Sequence, residues 1–197
     1  MNEWPDACLK NKSRFEEFSQ TFVVVIEMSN LKNTNVIFGM NATKSAVVVA
    51  QTRGTGGRFG VTAIRPILFQ VAGGHDLAEL LQILRALFDR KGKRAGLVIA
   101  LLKCSSGRFG SCLEAIKGEA MIELAAFQRG LRVVKVAPQS LKKSLGCAPD
   151  QKWRDRAAEL FNPRGQHQHW SKGAAGAVAV AFKVAKEGTA LPVIGQI

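Results

Sequence analysis

Residues 96–102 read GLVIALL, a run without a single polar side chain. Lys93-Arg94 precede it and Lys103 follows it, so the run is too short for a buried helix and has the length of a strand. An apolar strand without polar alternation predicts a central position in a sheet covered on both faces. Behind it, Ser111-Cys-Leu-Glu114 has the spacing of a capping box, and Leu113, Ile116, Ala120, Leu124 and Phe127 recur at steps of three and four. That pattern predicts a helix burying this stripe and ending at Gly130. Residues 131–136 (LRVVKV) predict a further strand, 138–145 a short basic helix closed by Gly146, and 150–161 a helix capped by Asp150. Ser171 caps a last helix over 172–186, whose Ala174, Ala175, Gly176, Ala177 and Ala179 permit close packing on a sheet.

Before the central run, residues 35–41 (NVIFGMN) and 46–50 (AVVVA) predict a hairpin across a turn at 42–45. Residues 54–60 (GTGGRFG) read as a flexible loop. A third strand candidate spans 61–71, with Pro66 marking an edge or a bulge. Asp76 and Glu79 form a second capping box, opening a helix to about Arg90 that presents Leu77, Leu80, Leu81, Leu84 and Leu87 or Phe88 on one face. The order β-β-β-α-β-α-β-α-α-α predicts an α/β chain with a mixed five-stranded sheet and helices on both faces. The expected organisation is an N-terminal extension over 1–34 with room for one extra strand, a domain over 35–188 and a tail over 189–197. Met28 is a candidate start, and residues 1–27 are not expected to carry function.

The charge is large and uneven. The 197 residues hold 28 Lys+Arg against 15 Asp+Glu, a formal net charge of +13. Residues 1–27 are slightly acidic, so the excess positive charge lies in the rest of the chain. A body this basic favours polyanionic partners. At 47% hydrophobic residues the chain can bury a core, which excludes a disordered polyelectrolyte. Apolar runs such as 22–26 and 97–102 are far below the roughly 20 residues of a membrane span, so no membrane partner is expected. The N-terminus lacks the long apolar core of a signal peptide. Cys8, Cys104, Cys112 and Cys147 show no C-x-x-C spacing and read as reduced thiols of a cytoplasmic protein.

Several motifs fail on inspection. The dinucleotide pattern G-x-G-x-x-G at Gly54 would need glycine where Phe59 stands. Gly92-Lys93 continues with Arg94, so it is no P-loop. His167-Gln-His169 has no cysteine or carboxylate at zinc spacing, and no G-x-S-x-G occurs. One internal echo remains: Gly57-Arg-Phe-Gly60 and Gly107-Arg-Phe-Gly110. Arginine beside a stackable ring suits sequence-tolerant nucleic-acid binding, while two core phenylalanines are the competing explanation. The balance is even for Arg58-Phe59 and favours function for Arg108-Phe109, which follows the central strand.

The element order resembles the RNase H-like fold and, within it, the RuvC-type resolvase branch. The residues that carry the likeness are Val36-Ile-Phe-Gly-Met-Asn-Ala-Thr-Lys-Ser45, residues 97–103, Lys117-Gly-Glu119-Ala120 with Gly130-Leu-Arg-Val-Val134, and Ala137-Pro138-Gln-Ser-Leu-Lys142. The stretch 99–124 is similar to a family of small bacterial proteins on that fold. The resemblance covers about residues 35–186. It implies carboxylates on the first strand, at the end of the fourth strand and on the last helix, holding two divalent ions. This chain departs from that pattern. Asn41 occupies the first position, Lys103 ends the central strand, and the last helix opens with Ser171-Lys172-Gly173.

Two readings follow. In the first, the chain binds nucleic acid on an RNase H-like scaffold without the usual metal-dependent nuclease site and without a cofactor. Asn41, Lys44, Lys103, Arg108, Phe109, Lys142, Lys143, Ser171 and Lys172 are then the candidate nucleic-acid and phosphate residues. Lysines and the free amides of a helix's first turn suit a phosphate. Arg154 would add a phosphate contact, and Trp153 and Trp170 would stack on bases or pack in the core. In the second, the chain is an atypical Mg2+- or Mn2+-dependent nuclease or resolvase with relocated carboxylates: Glu114, Glu119, Glu123 and Asp155. Glu119 lies about 60° from Ile116 on the helix wheel, which predicts partial burial. Pairing of Glu119 with Lys117 or Arg129 is its ordinary alternative. Nucleic acid, DNA or RNA, is the expected partner, and a homodimer is left open.

Overall fold

The structure, a computed structural model, describes residues 25–27, 35–55, 58–71, 74–92, 97–104, 109–165 and 167–187. In chain order the elements are β1 (Val25–Glu27), β2 (Asn35–Ala42), β3 (Ala46–Thr55), β4 (Arg58–Leu68), β5 (Gln70–Val71), β6 (Gly74–His75), α1 (Leu77–Gly92), β7 (Val98–Leu102), α2 (Phe109–Phe127), β8 (Arg132–Val136), α3 (Pro138–Leu145), α4 (Trp153–Phe161) and α5 (Lys172–Glu187). The main sheet runs β1-β4-β3-β2-β7-β8. β2, β3 and β4 form an antiparallel meander, and β2, β7 and β8 are parallel. These five strands are the mixed sheet that the element order predicts. β1 adds a sixth, pairing antiparallel with the start of β4.

The apolar run in β7 has a direct cause. Ile99 and Leu101 enter the core beneath α1 and α2, while Ala100 and Leu102 enter the core beneath α3, α4 and α5. β2 divides the same way, with Phe38 and Met40 on one side and Ile37 on the other. Both faces are covered, so neither strand has a solvent face to mark with polar residues.

α5 lies directly on β2 and β3. A Cβ on Gly39 would stand 1.8 Å from the carbonyl oxygen of Ala177, and one on Gly173 would stand 2.8 Å from Val48. The small-residue stripe therefore has a function in packing: backbone meets backbone where a side chain would hold helix and strand apart. α5 runs opposite to β2, its first turn beside Asn41 and its middle beside Gly39.

Local details differ from the sequence reading. The glycine loop at 54–60 is shorter, because β3 continues to Thr55 and β4 begins at Arg58. Phe59 is fully buried and meets Phe161 and Phe182 edge to face at 5.6 and 5.4 Å between centroids, so this half of the GRFG echo is core. Asp76 Oδ1 accepts the Glu79 amide at 2.7 Å as predicted, but the Asp76 amide goes to the Phe69 carbonyl, leaving nothing for Glu79 to cap. α2 begins at Phe109, so Ser111 lies inside the helix rather than at its N-cap. α4 begins after Lys152, and Asp150 is not its cap. The largest correction is α2 itself. Ala115, Glu119, Ile122, Ala125 and Ala126 are buried, whereas Leu113, Ile116, Leu124 and Phe127 are exposed.

Candidate functional site

The three parallel strands end together, since Met40 pairs with Leu101 and Leu102 with Val136. Their C-terminal edge receives the β2–β3 turn, the residues after β7, and the starts of α3 and α5. In open α/β sheets, loops at this edge are where ligands are held.

Asn41 closes β2 on the α5 side. It is buried, and its Nδ2 donates to the Gly173 carbonyl at 3.1 Å. A Cβ on Gly176 would meet that amide at 2.5 Å, so the helix is glycine where the asparagine needs room. Asn41 thus fastens the first turn of α5 to the sheet. Ser171 Oγ accepts the Ala174 amide at 3.1 Å, the N-cap expected of it. The Thr43 hydroxyl donates to the Ala46 carbonyl at 2.8 Å and accepts the Ala46 amide at 3.1 Å, fixing the turn that exposes Lys44. A Cβ on Gly173 would lie 3.3 Å from Thr43 Cγ2, which sets this turn against the start of α5. Leu102 touches the position of Gly176 in the same way, at 3.0 Å. Lys103 comes next, exposed, with its amide donating to the Val136 carbonyl at 2.9 Å. The architecture therefore gathers Asn41, Lys44, Lys103, Ser171 and Lys172 at one edge. Among the described residues Lys44, Lys103 and Lys172 have no carboxylate partner.

The carboxylates divide differently. Glu119 Oε2 accepts the Cys104 amide at 3.0 Å, and its Oε1 lies 3.0 Å from Lys135 Nζ. Lys135 also reaches Glu123 at 2.5 Å. Hydrogen bonds from Glu123 and then Glu119 hold the Lys135 ammonium above its ordinary pKa. Glu119 thus caps the backbone just past β7 and is matched by Lys135 on β8, rather than by Lys117 or Arg129. Glu114 is partly buried, and its Oε2 is enclosed with no hydrogen-bond partner. Asp155 is exposed in the first turn of α4, on the opposite sheet face from α2. Among the described residues no three His, Cys, Asp or Glu side chains are grouped to hold a metal ion. At the positions the resemblance implies, the two strand ends carry an amide and an ammonium, and Glu119 and Glu123 are engaged with Lys135.

Of the remaining candidates, Lys142 and Lys143 lie away from this edge, since the neighbouring Ser144 carbonyl accepts Lys186 Nζ from the far end of α5 at 3.0 Å. Lys142 and Lys143 are exposed on the last turn of α3, Lys142 Nζ donating to the Pro149 carbonyl at 3.2 Å. The Arg154 guanidinium lies 4.5 Å from the Trp153 ring centre, and Trp153 packs partly into the core. Trp170 stacks on His167 at 6.2 Å between centroids. Burial lowers the His167 pKa from the usual histidine value, and its Nε2 is enclosed without a partner. Arg108 and the Phe109 side chain lie outside the described residues, as does the Arg58 side chain. Sequence reasoning missed Lys135, the residue that engages Glu119. Its only signal was a second basic residue, after Arg132, in a strand otherwise of valines, and the match to α2 needed the sheet order.

The fold has known counterparts. RuvC of Thermus thermophilus, in a structure with a Holliday-junction substrate, superposes with a TM-score of 0.63 at 12% identity, over 78% of this chain and 94% of that one. A second Thermus thermophilus RuvC structure gives 0.58 at 13% identity, over 75% and 92%. The fold is RNase H-like, of the RuvC type. The yeast mitochondrial Holliday junction resolvase Ydc2 shares this RuvC-type fold at a TM-score of 0.51 and 12% identity, over 80% of both chains. No protein-family model matches the sequence, and no curated protein does. Among the described residues no helix is long and apolar enough to cross a membrane.

Proposed function

We propose that this chain binds nucleic acid, DNA or RNA, by its phosphates at the C-terminal edge of β2, β7 and β8, and does not cut it by two-metal chemistry. The observation that carries the reading is the exchange of charge at β7: Lys103 ends the strand, while the nearby acid, Glu119, is committed to Lys135 and the Cys104 amide. An ammonium about 4 Å from a divalent ion is opposed by roughly 8 kcal/mol at an effective dielectric of 20. The same ammonium favours a phosphate oxygen. Lys103, Lys44 and Lys172 supply charge, and Ser171 and Asn41 keep the first turn of α5 in place. The overall charge of +13 and the known RuvC–junction structure on this scaffold support the same partner. Cys147, a thiol in this fold, suits a reducing cytoplasm.

A metal-dependent nuclease or resolvase is the second reading, and the enclosed, unpartnered oxygen of Glu114 is what favours it. Incubation of purified protein with single-stranded, duplex and four-way-junction DNA and RNA in Mg2+ or Mn2+ separates the two. The proposal expects retention of each bound species uncut. Cleavage that disappears in Glu114→Gln or Glu119→Gln overturns it.

A further inference from the structure

We propose that His167 is a proton-gated phosphate contact of the candidate site: its ring is stored in the loop before α5 and turns out as an imidazolium when nucleic acid occupies the edge, so that binding takes up a proton. This rests on phosphate binding at that edge and adds its regulation by pH. The loop between α4 and α5 leads directly into the first turn of α5. In it Pro163, Arg164, Gly165, Gln168 and His169 are exposed, whereas the His167 ring is half-buried and stacked on Trp170 at an interplanar angle of 25°. Its Nε2 is enclosed and finds no partner among the described residues. Trp170 adjoins Ser171, the cap of α5, and Lys172 follows. The stored ring therefore lies next to the start of α5, at the edge that carries the lysines.

The backbone at this residue is held while the ring is free to rotate. The His167 amide donates to Asn162 Oδ1 at 2.9 Å, and the His167 carbonyl accepts the Trp170 amide at 3.0 Å. With both backbone groups tied, a change at His167 is a change of side-chain rotamer. In its stored position an imidazolium is opposed in three ways. It is desolvated, its Nε2 proton has no acceptor, and the positive end of α5 is close by. Charges on the flanking elements give no relief. Glu159 on α4 is engaged by Arg156 and Gln151, while Arg164 and His169 in the loop and Lys172 on α5 are basic. Burial is accordingly the cause of the lowered pKa, and no carboxylate offsets it. Turned outward, the same ring meets water or a phosphate oxygen, to which an imidazolium is a charge-assisted donor. Phosphate thus favours protonation, and by reciprocity protonation favours phosphate.

The affinity of the full chain for a fluorescent single strand, measured between about pH 8 and pH 5.5 at one fixed low salt concentration, tests this. The unaltered chain is expected to gain about tenfold or more over that range, the worth of one charge-assisted hydrogen bond. His167→Gln and His167→Phe are expected to keep only a smaller rise, about threefold or less, from titration of His75 and His169. Phenylalanine keeps a ring against Trp170, so a loss common to both variants reports the proton rather than the packing. Calorimetry at about pH 6.5, in buffers of different ionisation enthalpy, is expected to show the unaltered chain taking up about half a proton or more per complex beyond either variant. Equal pH dependence, or equal proton uptake, in the unaltered chain and both variants overturns the proposal. Absence of binding at every pH overturns the phosphate reading itself, and this proposal with it.

Discussion

Glu119 shows how much one side chain's meaning depends on its neighbours. In the sequence it is the best candidate for a displaced catalytic acid. In the fold it terminates β7, accepting the Cys104 amide while facing Lys135. Glu119→Gln is expected to destabilise by about 1–3 kcal/mol, because it leaves a buried hydrogen-bonded carboxylate site half satisfied, as urea denaturation would show. Lys135 titrates above its ordinary value in the native state. The unfolded chain thus releases that proton first, and the stabilisation is complete below about pH 10.5 and is lost above it. His167 behaves oppositely. Burial lowers its pKa, so the unfolded state binds the extra proton as pH falls below about 6.5, and stability falls with it. Melting curves for His167→Gln across pH 5 to 8 are expected to show a shallower acid-side loss than those for the unaltered chain; equal slopes would contradict the assignment. Gly39 carries the clearest steric constraint. Gly39→Ala sets a methyl where Ala177 O lies, and an overpacking cost of about 1–3 kcal/mol or more is expected in the same denaturation assay.

At the scale of elements, the strands and α5 were legible because local pattern and tertiary environment agree. The apolar run before Lys103 is a central strand, the asparagine-to-alanine run at 35–42 is its parallel neighbour, and the alanines and glycines of α5 meet the sheet. Ser171 was legible for the same reason, since a cap acts within four residues of itself. Ser171→Ala is expected to cost about 1 kcal/mol, read as a lower urea midpoint with unchanged slope. α2 was misread because amphipathic spacing reports an apolar face without saying what covers it. The stripe with more of the large side chains is outermost, and the core side carries Ala115, Gly118, Ile122, Ala125 and Ala126, with glycine where a Cβ would meet Ala42 at 3.1 Å. The candidate site was only partly legible. The strand-end residues could be placed by topology alone, but the ties between Asn41 and Gly173 and between Glu119 and Lys135 cross 132 and 16 residues of chain, respectively.

For the whole molecule, the net charge of +13 and the edge with Lys44, Lys103 and Lys172 describe one property at two resolutions. On the proposed function, the charge would draw a polyanion from a distance and the edge would give its phosphates fixed partners. A RuvC-type scaffold with lysine where β7 ends is the core of the account. The measurement that bears on it most directly is the affinity for a fluorescent single strand and a four-way junction, titrated over salt, for the unaltered chain and for Lys103→Gln, Lys172→Gln and their combination. The account predicts an affinity falling steeply on a log–log plot, with each substitution lowering the slope by about 1 and the pair by about 2. A flat salt response, or slopes that both substitutions leave unchanged, would contradict it.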